Sequence, residues 1–367
     1  MKIALITLHR VFNYGSVLQA YATQKVLNDL GHDVMTVDYI PSRLTNKRLY
    51  FDIPDYIKKD AFHKCSYLAL KSISVLLKKM TFWRFIDNNI KLTKQRYFSF
   101  EELKNNPPLV DAYISGSDQV WNSFYNLGLD HCFFVDFAPS NKKRIAFVSS
   151  FGKIELDDEE IGKTKELISK YNAISVREDT ALKIMEVLKY PNAVCLIDPT
   201  LQIESVHWLE LAANRVIKEK YLLLMLLYSE DNGATEYAQK IAKQKGFKVV
   251  KLSWEYKKPQ GVDILKTHKS PQVFLSLFQH AEFIVTNSFH GLAFSINLNK
   301  QFTVIPRNEF NTRIESLLRM THLENRMIKS ETGLDVIDII INYEPINVIL
   351  NKERERAKRF LVEALGE

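Results

Sequence analysis

The chain has 367 residues, of which 46% are hydrophobic and 25% are charged, and its formal net charge is +7. This length exceeds the size at which one hydrophobic core stops growing, so we expect two domains, and the ordinary globular composition excludes long disordered segments. The moderate positive charge would suit an anionic ligand, nucleic acid or an acidic membrane surface, but no RNP, zinc-finger or helix-turn-helix pattern accompanies it, so we expect no nucleic-acid partner.

The N-terminal elements predict a βαβ unit. Residues 2–8 form an apolar run typical of a buried strand, residues 15–30 have a helical pattern, and residues 32–39 predict a second strand. The apolar stretch at the start is shorter than the core of a signal peptide, and no apolar run approaches the length of a membrane span, so we expect a cytoplasmic protein. The alternation continues with short apolar runs at 112–115, 144–149 and 173–176 and a helical pattern at 157–171. It favours a parallel sheet covered by helices.

A basic helical stretch interrupts this alternation as an insertion at about residues 52–90. Lys64, Lys71 and Lys78 recur every seven residues among leucines, isoleucine and methionine. A basic amphipathic helix can lie on an anionic membrane surface, but more such helices pack one face on a core, and we favour the packed arrangement.

The alternation restarts after residue 200, with strands predicted at 221–227, 247–252 and 283–286 and helices at 231–245 and 271–280. The fold class is therefore α/β, with two Rossmann-like lobes. We predict an N-terminal domain over 1–200 and a C-terminal domain over 201–367 that ends in a helix. A ligand cleft between the lobes is expected, because open α/β sheets bind ligands beyond the carboxyl ends of their strands.

His290 is the best catalytic candidate. It follows a predicted strand in the sequence Asn287-Ser288-Phe289-His290-Gly291, where Asn287 or Ser288 would cap a helix that begins at Phe289. A helix N-terminus favours a bound anion, and imidazole can exchange a proton near neutral pH. The alternative is a histidine that only caps or packs. No ligand partner follows at metal-binding spacing, and the three cysteines lie far apart, so we expect no metal.

Other polar residues follow predicted strand ends. Arg177 and Arg313 could hold a carboxylate or a phosphate through paired hydrogen bonds, although each could instead make a local surface contact. The first-half turns could contact sugar hydroxyls, although Asp118 could simply cap a helix; their residues are Asn13, Tyr14, Gly15, Ser117, Asp118 and Gln119. The first turn has a single glycine, which does not support a dinucleotide-binding fingerprint.

Taken together, five short stretches in this order resemble the polysaccharide pyruvyl transferase family and cover nearly the whole chain. They are NYGSVLQAYA at 13–22, GSDQVWN at 116–122, SVRE at 175–178, DPT at 198–200 and NSFHG at 287–291.

The resemblance implies an architecture similar to the two-lobed GT-B glycosyltransferases, with the acceptor on the N-terminal lobe and the donor on the C-terminal lobe. It implies transfer of pyruvate from phosphoenolpyruvate, as co-substrate, to two hydroxyls of one sugar, giving a cyclic ketal, without a metal or nucleotide cofactor. His290 would be the general acid that protonates the methylene carbon of the donor, Arg177 would hold donor charge, and Asn287 and Ser288 would contact the donor. Some family members carry an arginine where this chain has Ser288, and Arg313 could supply that charge.

The acceptor would be a sugar of a surface polysaccharide, such as a capsule or exopolysaccharide, or a lipid-linked oligosaccharide precursor. A lipid-linked acceptor would give the basic helix a purpose at the inner membrane face. Two alternatives stay open: a glycosyltransferase that uses a nucleotide sugar, and a non-catalytic carbohydrate-binding relative.

Overall fold

The computed structural model of the protein describes residues 1–44, 61–227, 231–254, 257–308, 311–328 and 338–366, with the backbone alone for residues 61–66. The chain forms two compact units, one of residues 1–151 and 157–174 and the other of residues 152–156 and 175–367. The division falls before the predicted boundary at residue 200, because the segment after residue 174 bonds within the second unit. For example, Asn297 Nδ2 donates to the carbonyl of Thr200 at 2.7 Å.

The first sheet contains seven parallel strands in the order β3-β2-β1-β4-β5-β6-β7. Its central strands are buried apolar runs, and β1 pairs in register with both β2 and β4. The strands are β1 (Lys2–Ile6), β2 (Asp33–Tyr39), β3 (Leu92–Tyr97), β4 (Ala112–Ser115), β5 (Lys143–Ser149), β6 (Ala173–Val176) and β7 (Val194–Cys195).

The helices of this half follow the predicted alternation. The N-terminus of α1 is set by Asn13, whose side chain accepts from the backbone N–H of Gly15 at 2.9 Å. The helices are α1 (Tyr14–Asp29), α2 (Ala61–Asn89), α3 (Phe100–Asn105), α4 (Ser123–Asn126), α5 (Asp158–Ile168) and α6 (Asp179–Val187), with a short 3₁₀ turn at Ser42–Leu44.

Helix α2 falls within the predicted helical insertion, whose residues 52–60 lie outside the described residues. The helix does pack one face, through side chains such as Val75, Phe82 and Phe85, which are at most 6% exposed. Outside this packed face the helix also carries apolar side chains, because Leu70 and Met80 are 65% and 61% exposed. Helix α2 therefore has a second apolar face, which is exposed to solvent, in addition to the face that it buries.

The second sheet has five parallel strands in the order β10-β9-β8-β11-β12. Its centre is almost fully buried, because β8 and β11 are continuous apolar runs. The strands are β8 (Tyr221–Met225), β9 (Lys248–Ser253), β10 (Ile264–Thr267), β11 (Phe283–Thr286) and β12 (Phe302–Val304).

The remaining helices include the predicted C-terminal one. They are α7 (Pro199–Gln202), α8 (Ser205–Leu211), α9 (Ala234–Lys245), α10 (Pro271–His280), α11 (Phe289–Asn297), α12 (Thr312–Met320) and α13 (Glu344–Leu365), with a 3₁₀ turn at Glu324–Arg326. The α/β fold class with two parallel sheets is therefore confirmed. None of the helices in the described ranges has the length and apolar character needed to cross a bilayer.

Candidate active site

The turn between β11 and α11 places His290 in the first turn of a helix, as predicted. Ser288 is the N-cap, and its Oγ accepts from the backbone N–H of Gly291 at 3.3 Å. Thr286 accepts from the backbone N–H of Ser288 through Oγ1 at 3.1 Å and donates to the carbonyl of Met225 at 2.7 Å. This turn has no room for a side chain at position 291, because a Cβ built there would lie 2.2 Å from Thr286 Oγ1. The backbone around His290 is thus closely fixed.

Asp198 is the charged centre next to His290. It caps the short helix α7, and its Oδ1 accepts from the backbone N–H of Thr200 at 2.9 Å and from Thr200 Oγ1 at 2.7 Å. Its Oδ2 accepts from Arg177 Nη1 at 3.0 Å and lies 3.8 Å from His290 Nε2. One carboxylate therefore holds an arginine and lies beside the histidine.

Burial and charge act on Asp198 in opposite directions. The residue is 1% exposed. Burial raises its pKa, but the nearby His290 and Arg177 and the hydrogen bonds from Thr200 together hold the pKa below its ordinary value. Asp198 is therefore a fixed carboxylate at neutral pH, and it favours the protonated form of an imidazole placed beside it.

Two arginines surround the aromatic ring that precedes His290. The Cζ atoms of Arg177 and Arg313 lie 4.8 Å and 5.8 Å from the centroid of the Phe289 ring, within the range of cation–π contacts. Arg177 directly follows β6 and is 5% exposed, whereas Arg313 is half-buried in the first turn of α12. The structure thus brings the two predicted donor-binding arginines together beside one ring.

A cavity of about 280 Å³ opens at this cluster, and Arg177, Asp198, Phe289 and Arg313 are among the residues that line it. Two more arginines line it, and each is paired with a carboxylate that also lines it: Arg319 lies 2.7 Å from Asp179, and Arg356 lies 3.2 Å from Glu353. The guanidinium groups of Arg177 and Arg313 suit a small ligand with carboxylate or phosphate groups.

Cys195 also lines this cavity, but its thiol is a weak nucleophile. Burial, and then the charge of Glu178, raise the pKa of its thiol to about 12, so the thiol stays protonated and is a poor nucleophile at neutral pH. Among the residues that the structure describes, no group of three or more His, Cys, Asp or Glu side chains could hold a metal ion.

Asn287 and Ser288, predicted to contact the donor, make contacts within the turn. Asn287 Oδ1 accepts from the backbone N–H of Leu227 at 2.6 Å, and this bond connects the ends of β8 and β11. Ser288 is 2% exposed and caps α11. Both residues hold the backbone on which His290 stands.

The predicted acceptor residues lie in the first unit, where two strand-end turns meet. Ser16 Oγ, in the first turn of α1, donates a hydrogen bond to Asp118 Oδ2, which joins the start of α1 to the turn after β4. Asp118 has a φ of 75°, in the left-handed region that a residue other than glycine seldom adopts, and it is 5% exposed.

The other acceptor candidates differ in how far they reach solvent. Asn13 and Gln119 are half-buried. Tyr14, Gly15 and Ser117 are buried, and the backbone carbonyl of Ser117 accepts from Thr7 Oγ1 at 2.8 Å.

Three features of these clusters were not predicted from the sequence. Asp198 was noted only as part of a short motif, although a proline at the position after a helix N-cap is a local signal for a fixed carboxylate. Ser16 was not singled out at all. The third feature is a buried ion pair at the ends of β1 and β2, where Asp38 accepts from Arg10 Nε at 2.8 Å and lies 3.3 Å from His9 Nε2.

Comparison with known proteins gives one family and a shared fold. The family model described as polysaccharide pyruvyl transferase matches residues 13–309. No curated protein sequence matches the chain.

The similar solved structures include UDP-N-acetylglucosamine 2-epimerases. The enzyme from Rickettsia bellii is 11% identical with a TM-score of 0.53, and the alignment covers 100% of this chain and 97% of that one. The Neisseria meningitidis enzyme is 11% identical over 100% of this chain and 99% of its own, with a TM-score of 0.52. The Methanocaldococcus jannaschii enzyme is 13% identical over 99% of this chain and 100% of its own, with a TM-score of 0.52. These likenesses show the GT-B type of fold that the sequence predicted.

Proposed function

Because the chain belongs to the polysaccharide pyruvyl transferase family, we propose that it transfers the pyruvyl group of phosphoenolpyruvate to two hydroxyls of one sugar. The sugar would belong to a surface polysaccharide or its lipid-linked precursor, and the product would be a cyclic ketal. The observation that supports this most strongly is the 3.8 Å approach of His290 Nε2 to the buried carboxylate of Asp198, beside an arginine-lined cavity. An imidazole beside a carboxylate that lines this cavity suits an acid that acts on an anionic donor.

The proposed reaction begins with proton transfer from His290 to the methylene carbon of phosphoenolpyruvate. This step forms the methyl group and leaves an oxocarbenium-like carbon, which the first sugar hydroxyl attacks. Phosphate then leaves with the bonding electron pair, and the second hydroxyl attacks the same carbon to close the ketal. Of the two protons that the hydroxyls lose, one leaves with the phosphate and the other restores His290, so atoms and charges balance.

Arg177 and Arg313 would hold the carboxylate and phosphate of the donor. Their guanidinium groups are positioned by Asp198 and by the Phe289 ring, so little freedom is lost when an anion binds. Asp198 would act as a positioning residue, since it holds Arg177 and stabilises the protonated form of His290.

The acceptor would bind at the first unit. Asn13 and Gln119 are half-buried and offer amide groups near the Ser16–Asp118 hydrogen bond. Amide groups can both donate to and accept from sugar hydroxyls, and a carboxylate can accept from them. Tyr14, Gly15 and Ser117 would shape this turn from beneath.

The direct test is release of phosphate from phosphoenolpyruvate by the purified chain, with candidate lipid-linked sugars as acceptors. Mass spectrometry should find the added pyruvyl group on the acceptor, and His290→Ala should lower kcat by about 10²–10⁴-fold. His280→Ala is the matched control for loss of an imidazole, because His280 ends α10, whereas His290 lies in the first turn of α11. Consumption of nucleotide sugars alone would support the glycosyltransferase alternative. Acceptor binding without turnover, unaffected by His290→Ala, would support a carbohydrate-binding protein.

A further inference from the structure

Helix α2 carries a second apolar face that lies open to solvent. Leu70, Ile73, Leu76 and Met80 are 65%, 55%, 54% and 61% exposed, and Leu77 is 38% exposed. At 3.6 residues per turn, these five side chains fall within about a third of the helix circumference. They therefore form one continuous stripe, which we call the outer stripe. Large apolar side chains grouped in this way mark an interaction surface, whereas scattered ones are ordinary.

The charge of α2 is strongly one-sided. Its sequence carries four lysines and one arginine but a single acidic residue, Asp87. That carboxylate contacts Arg10 Nη2 at 3.0 Å. At 3.6 residues per turn, the exposed Arg84 falls within the arc of the outer stripe, and the half-buried Lys79 lies about 60° beyond its edge. Excess positive charge next to an apolar stripe is complementary to a surface that is both anionic and apolar.

We propose that the outer stripe, together with Lys79 and Arg84, docks the protein on an anionic membrane surface, with α2 lying in the plane of the interface. The apolar side chains would enter the boundary between headgroups and acyl chains, and Lys79 and Arg84 would reach the headgroups. Lipid phosphates supply the negative charge that α2 itself lacks.

A second copy of the chain fits this surface less well. Two α2 helices packed stripe to stripe would bring Lys79 and Arg84 of the two copies together, and the only carboxylate on each helix already contacts Arg10. Like charges across an interface oppose association. Charge complementarity therefore favours lipid over self-association. The proposal is independent of the pyruvyl transfer proposed above, because docking requires neither donor nor acceptor sugar.

The test is co-sedimentation of the full chain with vesicles of equal parts phosphatidylglycerol and phosphatidylcholine, against vesicles of phosphatidylcholine alone. We expect binding to the anionic vesicles at low salt and release at high salt. Lys79→Gln with Arg84→Gln should weaken binding by about 25-fold, since each basic residue near an anionic surface contributes roughly fivefold.

The apolar contribution is tested by a triple variant, Leu70→Ser, Ile73→Ser and Met80→Ser, which should lose vesicle binding. The matched control places the same number of serines at exposed apolar positions elsewhere, Ile154, Val206 and Val348, which are 68%, 56% and 66% exposed; this control should bind like the wild type.

Three results would overturn the proposal. They are wild-type protein that stays in the supernatant with anionic vesicles, equal binding by the triple variant, and a wild-type dimer that becomes a monomer in the triple variant without any vesicle binding. Light scattering measures the last of these. Unchanged thermal unfolding of each variant confirms that the substitutions act at the surface.

Discussion

Replacement of Asp198 by asparagine separates charge from shape at the centre of the candidate site. The asparagine Oδ1 can still accept both hydrogen bonds from Thr200, which are 2.9 Å and 2.7 Å long. Its Nδ2, however, would replace the oxygen that lies 3.0 Å from Arg177 Nη1 and 3.8 Å from His290 Nε2. A donor would then face a donor, and the buried guanidinium would lose its counter-charge.

Two separate effects follow from the Asp198→Asn change. Loss of one partner of a buried ion pair costs about 3–5 kcal/mol. For a unit of this size, that corresponds to a fall in Tm of roughly 6–20 °C. In addition, a carboxylate near 4 Å favours a protonated imidazole by up to about 4 kcal/mol at an effective dielectric constant near 20. Because the proposed acid must be protonated, the alkaline fall in activity should move to lower pH by about 1–3 units.

The assay is kcat/KM for phosphate release as a function of pH, with thermal unfolding of the same preparations. Asp338→Asn is the matched control, because Asp338 also contacts a cation, Lys245 Nζ at 2.7 Å, but its side chain is 64% exposed. It should change stability by less than about 1 kcal/mol and leave the pH profile in place. A loss of stability in Asp198→Asn without any movement of the alkaline limb would refute the positioning role and leave Asp198 a structural residue.

Three further predictions concern separate contacts. Arg313→Ala should raise KM for phosphoenolpyruvate by about 10–100-fold, because a hydrogen bond to a charged group contributes roughly 1.5–3 kcal/mol. Arg359→Ala, which changes an exposed residue of α13, is the control. Unchanged donor affinity in Arg313→Ala would contradict a role of Arg313 in donor binding. Gly291→Ala should lower the free energy of unfolding by about 1–3 kcal/mol, because the new Cβ would meet Thr286 Oγ1 at 2.2 Å; a rise in Tm would contradict this. Asp38→Asn should destabilise the first unit by about 3–5 kcal/mol at pH 7, measured by urea unfolding.

The pH dependence of the Asp38 contribution has a definite sign. Burial raises the pKa of Asp38, but hydrogen bonds from His9 and Arg10 lower it more, so the pKa in the folded protein lies well below its ordinary value. The resulting stability is fully present above the unfolded-state pKa of about 3.9 and is lost as the pH falls toward the folded-state value. The difference between wild type and Asp38→Asn should therefore shrink below about pH 4. A difference that stays constant down to pH 2 would contradict this ion-pair explanation.

The sequence predicted interior elements well and sheet edges poorly. Strands β4, β6 and β11 and helix α10 have the predicted bounds, because each is a run of uniformly apolar or amphipathic character. The sequence did not predict the four outermost strands of the two sheets, which are β3, β7, β10 and β12. An edge strand is paired on one side and can be short or polar, as LTKQRY of β3 is, so it lacks the apolar run that marks a central strand.

The same distinction holds for the candidate site. The position of His290 could be predicted because a strand, an N-cap and a helix follow one another within a few residues. Its approach to Asp198 could not, since it depends on how β7 and α7 pack against α11, and no local pattern encodes that distance. The pairing of Ser16 with Asp118 is of the same kind, because it joins the start of α1 to the turn after β4, and β1 and β4 become neighbours only in the sheet.

We propose that Arg313 supplies the positive charge that some family members carry at position 288. Ser288 is 2% exposed, its Oγ caps α11 and its backbone N–H bonds Thr286. An arginine at this place would have to give up the cap and turn its long side chain out of a buried position. Arg313 instead brings a guanidinium to the Phe289 ring from the first turn of α12, 5.8 Å from the ring centroid. The N-cap at Ser288 and a positive charge from α12 are therefore compatible. A double variant, Ser288→Arg with Arg313→Ala, should recover donor affinity only in part. It restores the charge but loses the N-cap, which contributes about 1 kcal/mol.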